Sequence, residues 1–207
     1  TFTNKAAKEM RERVAHLLKH QHEDRAFMPY MGTFHGICVR LLRQDGQYVG
    51  IPDNFVIFDE SDRQTLIKNI AKQLSIDEKQ HTARAIGAII SSAKNDLVSS
   101  DEYENLAQTP TQRAAAKVYP LYQKSLKDHM ALDFDDLIGR VVSLLETHEE
   151  IRQKWQQRFK YILIDEYQDT NAAQYKLIKL LINEHRNICV VGDDWQSIYS
   201  WRGADFK

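Results

Sequence analysis

The chain has 207 residues, 43% hydrophobic and 28% charged, an ordinary balance for a soluble globular protein. Its formal net charge of -1 means that any nucleic-acid-binding surface is local rather than global. No apolar run approaches membrane-spanning length, no signal peptide is visible, and Cys38 and Cys189 lack metal-type spacing. The thiols read as reduced, in a cytosolic protein. The length suits one large domain, or one domain carrying an insertion.

The chain opens Thr1-Phe2-Thr3-Asn4 rather than at Met, as a fragment or a trimmed product would. Residues 1–3 read as the tip of a strand, with Thr3 or Asn4 capping a helix. In that helix Ala6, Ala7, Met10, Val14, Leu17 and Leu18 recur at helical spacing. His16, His20 and His22 follow, but no acidic or thiol partner completes a metal set, so a solvated helix end is expected. Phe27 to Thr33 is a strand candidate, and Ile37 to Arg43 turns helical. Gly46, Gly50 and Pro52 mark a loop, followed by a short extended piece at Phe55 to Phe58. Ser61 with Gln64 fits a capping box that opens a helix through about Leu74. Further helices are expected over Thr82 to Lys94, Ser100 to Ala107 and Thr111 to Met130. Pro120 should kink or split the last of these. Residues 38–128 therefore read as a helical subdomain.

Asp133-Phe134-Asp135-Asp136 begins an amphipathic helix through Leu145, and a polar helix covers Glu149 to Arg158. Tyr161-Ile162-Leu163-Ile164 then reads as a strand buried on both faces, ending in Asp165 and Glu166. After a helix from Ala172 to about Asn183, a second buried strand, Ile188 to Val191, ends in Gly192-Asp193-Asp194-Trp195-Gln196. Strand, helix and strand imply parallel pairing with a right-handed crossover. Both strands put carboxylates on one edge, where open α/β sheets bind ligands.

That edge suits Mg²⁺-nucleotide hydrolysis. Asp165 would hold Mg²⁺, Glu166 would orient or deprotonate a water, and Gln196 would hydrogen-bond a γ-phosphate. Such chemistry needs a phosphate cradle, yet no G-x-x-x-x-G-K-[ST] occurs. Either the chain is not an NTPase or the P-loop lies before Thr1. Phe2, Phe34, Tyr199 and Trp201 sit in loops, the last two beside Arg202. They are either stacking platforms for single-stranded nucleic acid or packing for the core edge. Thr1, Thr3, Asn4, Thr33 and His35 are either phosphate donors or ordinary caps. A metal phosphohydrolase built on Asp165, Glu166 and Asp193 would have few further ligands and no use for the aromatic loop.

These stretches resemble the motifs of the UvrD/Rep/PcrA-type superfamily 1 DNA helicases, in order and over almost the whole chain. Thr1-Phe2-Thr3-Asn4-Lys5-Ala6-Ala7 resembles motif Ia, and Gly32-Thr33-Phe34-His35-Gly36 resembles motif Ib. Leu163 to Thr170 is similar to the Walker B motif II, and Val191 to Ala204 to motif III. Leu132 to Leu137 is similar to a further family stretch where the chain re-enters the core. The resemblance implies an α/β fold: a RecA-like P-loop NTPase core with an incomplete parallel sheet and a mostly helical inserted subdomain. Residues 1–37 and 129–207 would form part of the first motor domain, and 38–128 the insertion. It implies Asp165 as the Mg²⁺ residue, Glu166 as the catalytic base and Gln196 as the γ-phosphate sensor. Phe2 and Tyr199 would form a base pocket and Trp201 a further stack. Asn4, Thr33, His35 and Arg202 would lie near single-stranded DNA, and Gln168 and Asp169 would relay between the sites.

The implied activity is ATP hydrolysis driving 3′-to-5′ movement on single-stranded DNA and unwinding at single-strand/duplex junctions. Repair or replication proteins would be the partners and the cytoplasm the location. The P-loop segment and the second motor domain, with its arginine fingers, are not in the sequence, so the chain alone is expected to be inactive. A sheet lacking its P-loop strand would expose an edge and apolar surface, with self-association the expected result. Trp195 departs from the Asp common in relatives. The competing reading is a non-catalytic module that only binds single-stranded DNA or a partner protein.

Overall fold

The computed structural model describes residues 1–19 and 28–193. Helix α1 (Asn4–Leu17) starts where Thr3 accepts the Ala6 N–H, and α2 (Phe34–Asp45) where Thr33 accepts that of Gly36. Thr1 N donates to Gly32 O at 3.2 Å, and Phe34 N to Thr1 O at 3.3 Å. Those two bonds are a one-residue parallel ladder, so the two N-caps leave adjacent tips. Residues 28–33 form turns instead of the expected strand, and Phe27 lies outside the described residues.

A 3-10 turn (Gly46–Val49) ends at Gly50, whose φ of 73° is left-handed and favours glycine. Strand β1 (Val56–Ile57) pairs in parallel with β2 (Ala131–Leu132). Between them run α3 (Glu60–Gln73), α4 (Ala83–Asn95), α5 (Ser100–Tyr103) and α6 (Pro110–Asp128). Asp59 and Asp62, not Ser61 and Gln64, make the capping box of α3. Gln64 instead bonds Glu60 along the exposed surface at 2.7 Å. Helix α6 continues past Pro120 unsplit; the proline ring lies on its exposed side.

Asp133 and Asp136 form the capping box of α7 (Phe134–Thr147), which is followed by α8 (Glu149–Arg158). Strand β3 (Ile162–Ile164), α9 (Ala172–Leu181) and β4 (Ile188–Val190) complete a parallel strand–helix–strand unit, with Leu163 opposite Cys189. The expectation of burial on both faces fails. Ile164 is buried and Ile162 packs on the core, whereas Leu163 is 76% and Val191 64% exposed. Helices cover one face of this two-stranded sheet, so alternate residues point outward. The fold is mostly helical with small parallel sheets.

Buried apolar side chains form two clusters. One joins α2, α7, α8 and α9 through Leu41, Leu137, Trp155 and Leu177. The other joins α3, α4 and α6 through Ile67, Ile90 and Tyr122. Where α4, α6 and α7 meet, Lys94 Nζ lies 2.7 Å from Asp133 and 3.0 Å from Asp136, all three buried. Tyr122 donates its hydroxyl to Asp133 at 2.8 Å. Burial raises the Asp133 carboxyl, but Lys94 and the hydrogen bonds outweigh this and hold it below the ordinary range. Burial pushes Asp136 up against the pull of the same lysine.

Candidate functional site

The ends of β3 and β4 are stitched together past the last ladder pair. Val191 N donates to Ile164 O at 2.8 Å, and Tyr167 N to Val191 O at 3.0 Å. Between these bonds the chain turns sharply at Glu166, a non-glycine residue in the left-handed region (φ 47°, ψ 41°). Such a conformation costs on the order of 1–2 kcal/mol, so the surrounding structure must hold it. A 3-10 turn (Tyr167–Asp169) follows, closed by the Thr170 hydroxyl donating to Tyr167 O at 2.8 Å.

Gln168 is buried inside this turn. Its Nε2 donates to Glu166 Oε2 at 2.7 Å, and its Oε1 accepts the Asp193 N–H at 3.0 Å. One amide thus joins the acidic tip of β3 to the chain leaving β4. Gly192 makes room for it: a Cβ there would lie 2.6 Å from Gln168 Oε1. Asp165 is partly buried. Its Oδ1 makes no hydrogen bond, and the Thr1 α-ammonium lies 3.4 Å away. An acceptor oxygen in that state fits a hard cation. Among the described residues no three His, Cys, Asp or Glu gather around a metal position. His16 is described, while His20 and His22 lie outside.

A cleft of about 650 Å³ opens beside the turn. Its lining includes the rings of Phe2, Phe34, His35 and Phe134, the charged residues Arg63, Arg84 and Asp96, and Asp169 and Asn171 from the turn and the start of α9. Phe2 meets Phe34 edge-on at 5.5 Å, and His35 meets Phe134 at 5.7 Å. Asn171 caps α9 and donates to Asn95 of α4 at 2.8 Å, tying the turn to the helical layer.

The model of the UvrD/REP helicase N-terminal domain matches residues 1–207. The chain belongs to this UvrD/REP family. It is 45% identical, over 207 residues, to the ATP-dependent DNA helicase PcrA of Leuconostoc citreum, covering 100% of this chain and 27% of that protein. The PcrA proteins of Staphylococcus epidermidis and Staphylococcus aureus are each 46% identical over the whole chain, which spans 28% of their length.

Within this UvrD/REP domain the two groups of residues singled out from the sequence separate. Asp165, Glu166 and Gln168 gather at the turn; Phe2, His35 and Asp169 line the cleft. Thr33 is occupied as the cap of α2, and Asn4 is exposed at the first position of α1. Gln196, Tyr199, Trp201 and Arg202 lie outside the described residues, as does Trp195. Sequence reasoning missed Phe134, Arg84 and Asp96 at the cleft. Phe134 stands inside the stretch Asp133-Phe134-Asp135-Asp136, which is its signal in the sequence. No local pattern marks Arg84 or Asp96.

Proposed function

We propose that the chain is part of the motor of an ATP-dependent DNA helicase, a RecA-like core carrying a helical insertion. The bridge made by Gln168 between Glu166 and Asp193 supports this reading most. A carboxylate that activates water needs a fixed orientation, and Gln168 supplies it. The same amide ties the position of Glu166 to Asp193, three residues before Gln196 in the sequence. A shift of Asp193 on binding of phosphate or DNA would therefore reach the base. Asp165, with its hydrogen-bond-free oxygen, is the residue to hold Mg²⁺, which when bound neutralises phosphate charge. Asp169 reaches the cleft three residues after Glu166, so the turn borders both sites.

In this proposal Phe2, Tyr199 and Trp201 stack on bases, and Asn4, Thr33, His35 and Arg202 contact the strand backbone or its neighbourhood. Movement is 3′-to-5′ along single-stranded DNA toward duplex junctions. The protein works in the cytoplasm with repair or replication partners, and residues 38–128 form the insertion. No described helix is long and apolar enough to cross a membrane.

The test has two arms. In the protein encoded by the whole reading frame, Glu166→Gln should lower DNA-stimulated ATP hydrolysis about a hundredfold or more. In the 207-residue chain, salt-sensitive binding of a labelled oligonucleotide should weaken with Phe2→Ala and with Trp201→Ala. Unchanged binding in both variants removes the stacking assignment. DNA binding with undiminished hydrolysis in Glu166→Gln favours the non-catalytic module.

A further inference from the structure

The last turn of α4 holds two other helices through adjacent residues. Lys94 turns to the buried Asp133 and Asp136 at the start of α7. Asn95, half-buried, joins α7 to α9 instead. Its Oδ1 accepts from Asn171 Nδ2 at 2.8 Å, and its Nδ2 donates to Asp135 Oδ1 at 3.3 Å. The partners fix the direction of both amides. Asn171 Oδ1 accepts the Gln174 N–H at 2.9 Å, so its nitrogen is left for Asn95. A carboxylate only accepts, so Asn95 must turn its own nitrogen to Asp135. The other oxygen of Asp135 accepts from Ser91 at 2.7 Å, and Arg63 of α3 lies 3.5 Å from it.

Asn171 directly follows the turn that carries the acidic tip of β3. Thr170 closes that turn, and Gln168, three residues before Asn171, holds Glu166 at 2.7 Å. Bonds running from α3 and α4 through Asn95 therefore end in the segment that sets Glu166. Helix α4 also contributes Arg84 and Ser91 to the lining of the cleft that includes Phe2 and His35. Whatever fills the cleft bears on α4 as well as on the strand tip.

We propose that Asn95 is a positioning residue for hydrolysis, carrying the seating of α4 against single-stranded DNA to the turn that orients Glu166. The inference rests on the motor reading above and adds the helical insertion to the coupling between its two sites. Position 95 must accept and donate at once, and an amide does both.

The test uses the protein encoded by the whole reading frame and reads the fold stimulation of ATP-hydrolysis kcat by single-stranded DNA. Asn95→Asp keeps the acceptor for Asn171 but sets a carboxylate against Asp135, so the stimulation should fall about tenfold. Asn95→Ala, which loses both bonds without adding charge, should lose about fivefold. The DNA concentration giving half of the stimulation should move less than about twofold in both, because coupling and not affinity is what the relay carries. Asn95→Asp combined with Asp135→Asn restores a donor–acceptor pair, with the new amide nitrogen toward position 95 and its oxygen toward Ser91. The double variant should return to within about twofold of wild type. Wild-type stimulation in Asn95→Asp and Asn95→Ala overturns the relay and leaves the motor reading standing. So does a double variant no better than Asn95→Asp, or a loss confined to DNA affinity. If DNA does not stimulate the wild-type protein at all, the relay and the motor reading fall together.

Discussion

Gln168 sits between a carboxylate that only accepts and an amide that only donates, 2.7 Å from Glu166 and 3.0 Å from Asp193. That pairing fixes which end of its side chain is nitrogen. Gln168→Glu would keep the acceptor for Asp193 but set a second carboxylate against Glu166. The expected loss is about 1–3 kcal/mol at neutral pH. It should shrink in acid, where a proton shared by the two carboxylates restores a donor. Urea unfolding of wild type and variant at two pH values reads this directly. An equal loss at both would mean that Gln168 is not held by Glu166.

Gly192 and Gln168 form a second coupled pair. A Cβ at position 192 would meet Gln168 Oε1 at 2.6 Å and the Gln168 backbone nitrogen at 3.3 Å. The side chain can retreat but the backbone cannot. Gly192→Ala should therefore cost about 1–3 kcal/mol and expose the Asp193 amide to exchange. In Gln168→Ala the clashing oxygen is gone, so adding Gly192→Ala should cost much less. A double-mutant cycle measures the difference, about 1 kcal/mol of coupling. Additive losses would show that the two positions are independent.

Local rules carried most of the fold. The parallel strand–helix–strand unit and most helix spans follow from periodicity, and Thr3 and Asp133 announce their helices by type; the helix expected over Ser100 to Ala107 is instead the short α5 followed by a 3-10 turn, Glu104–Leu106. Two local signals compete at the start of α3. Asp59-x-x-Asp62 and Ser61-x-x-Gln64 both fit a capping box, and only the observed backbone decides between them. The β3 run Ile162-Leu163-Ile164 is uniformly apolar, so its sequence could not reveal that Leu163 would face outward. The turn around Glu166 was legible as a motif. Its bridge to Asp193 was not, because it joins residues 25 apart in sequence. The Lys94–Asp133 pair spans 39 residues and was equally hidden.

That pair gives a pH-dependent prediction. Lys94→Met leaves Asp133 and Asp136 buried without their cation, which should cost about 3–5 kcal/mol at neutral pH. In the wild type, Asp133 is held low, so its contribution is present above the unfolded value of about 3.9 and fades as pH falls. In the variant both carboxyls lie above their unfolded values. Their ionisation then opposes folding as pH rises through about 4 and beyond. The variant's deficit should therefore be larger at pH 7 than near pH 5. Denaturant unfolding at both pH values checks it, and a deficit that grows toward acid would contradict the charge assignment.

The two cysteines report on the uncovered sheet face. Cys38 is fully buried in α2, and burial pushes its thiol well up; Cys189 is exposed on β4 opposite Leu163. A thiol reagent should modify Cys189 rapidly in the native chain and reach Cys38 only on unfolding. Leu163 and Val191 add apolar area beside Cys189 on this face, with exposures of 76% and 64%. An apolar face of this kind invites a second copy. Modification of Cys189 should then slow as protein concentration rises, in step with a dimer seen by sedimentation, and Leu163→Lys should remove both effects. A rate independent of concentration, with a monomer throughout, would show that this face does not mediate self-association.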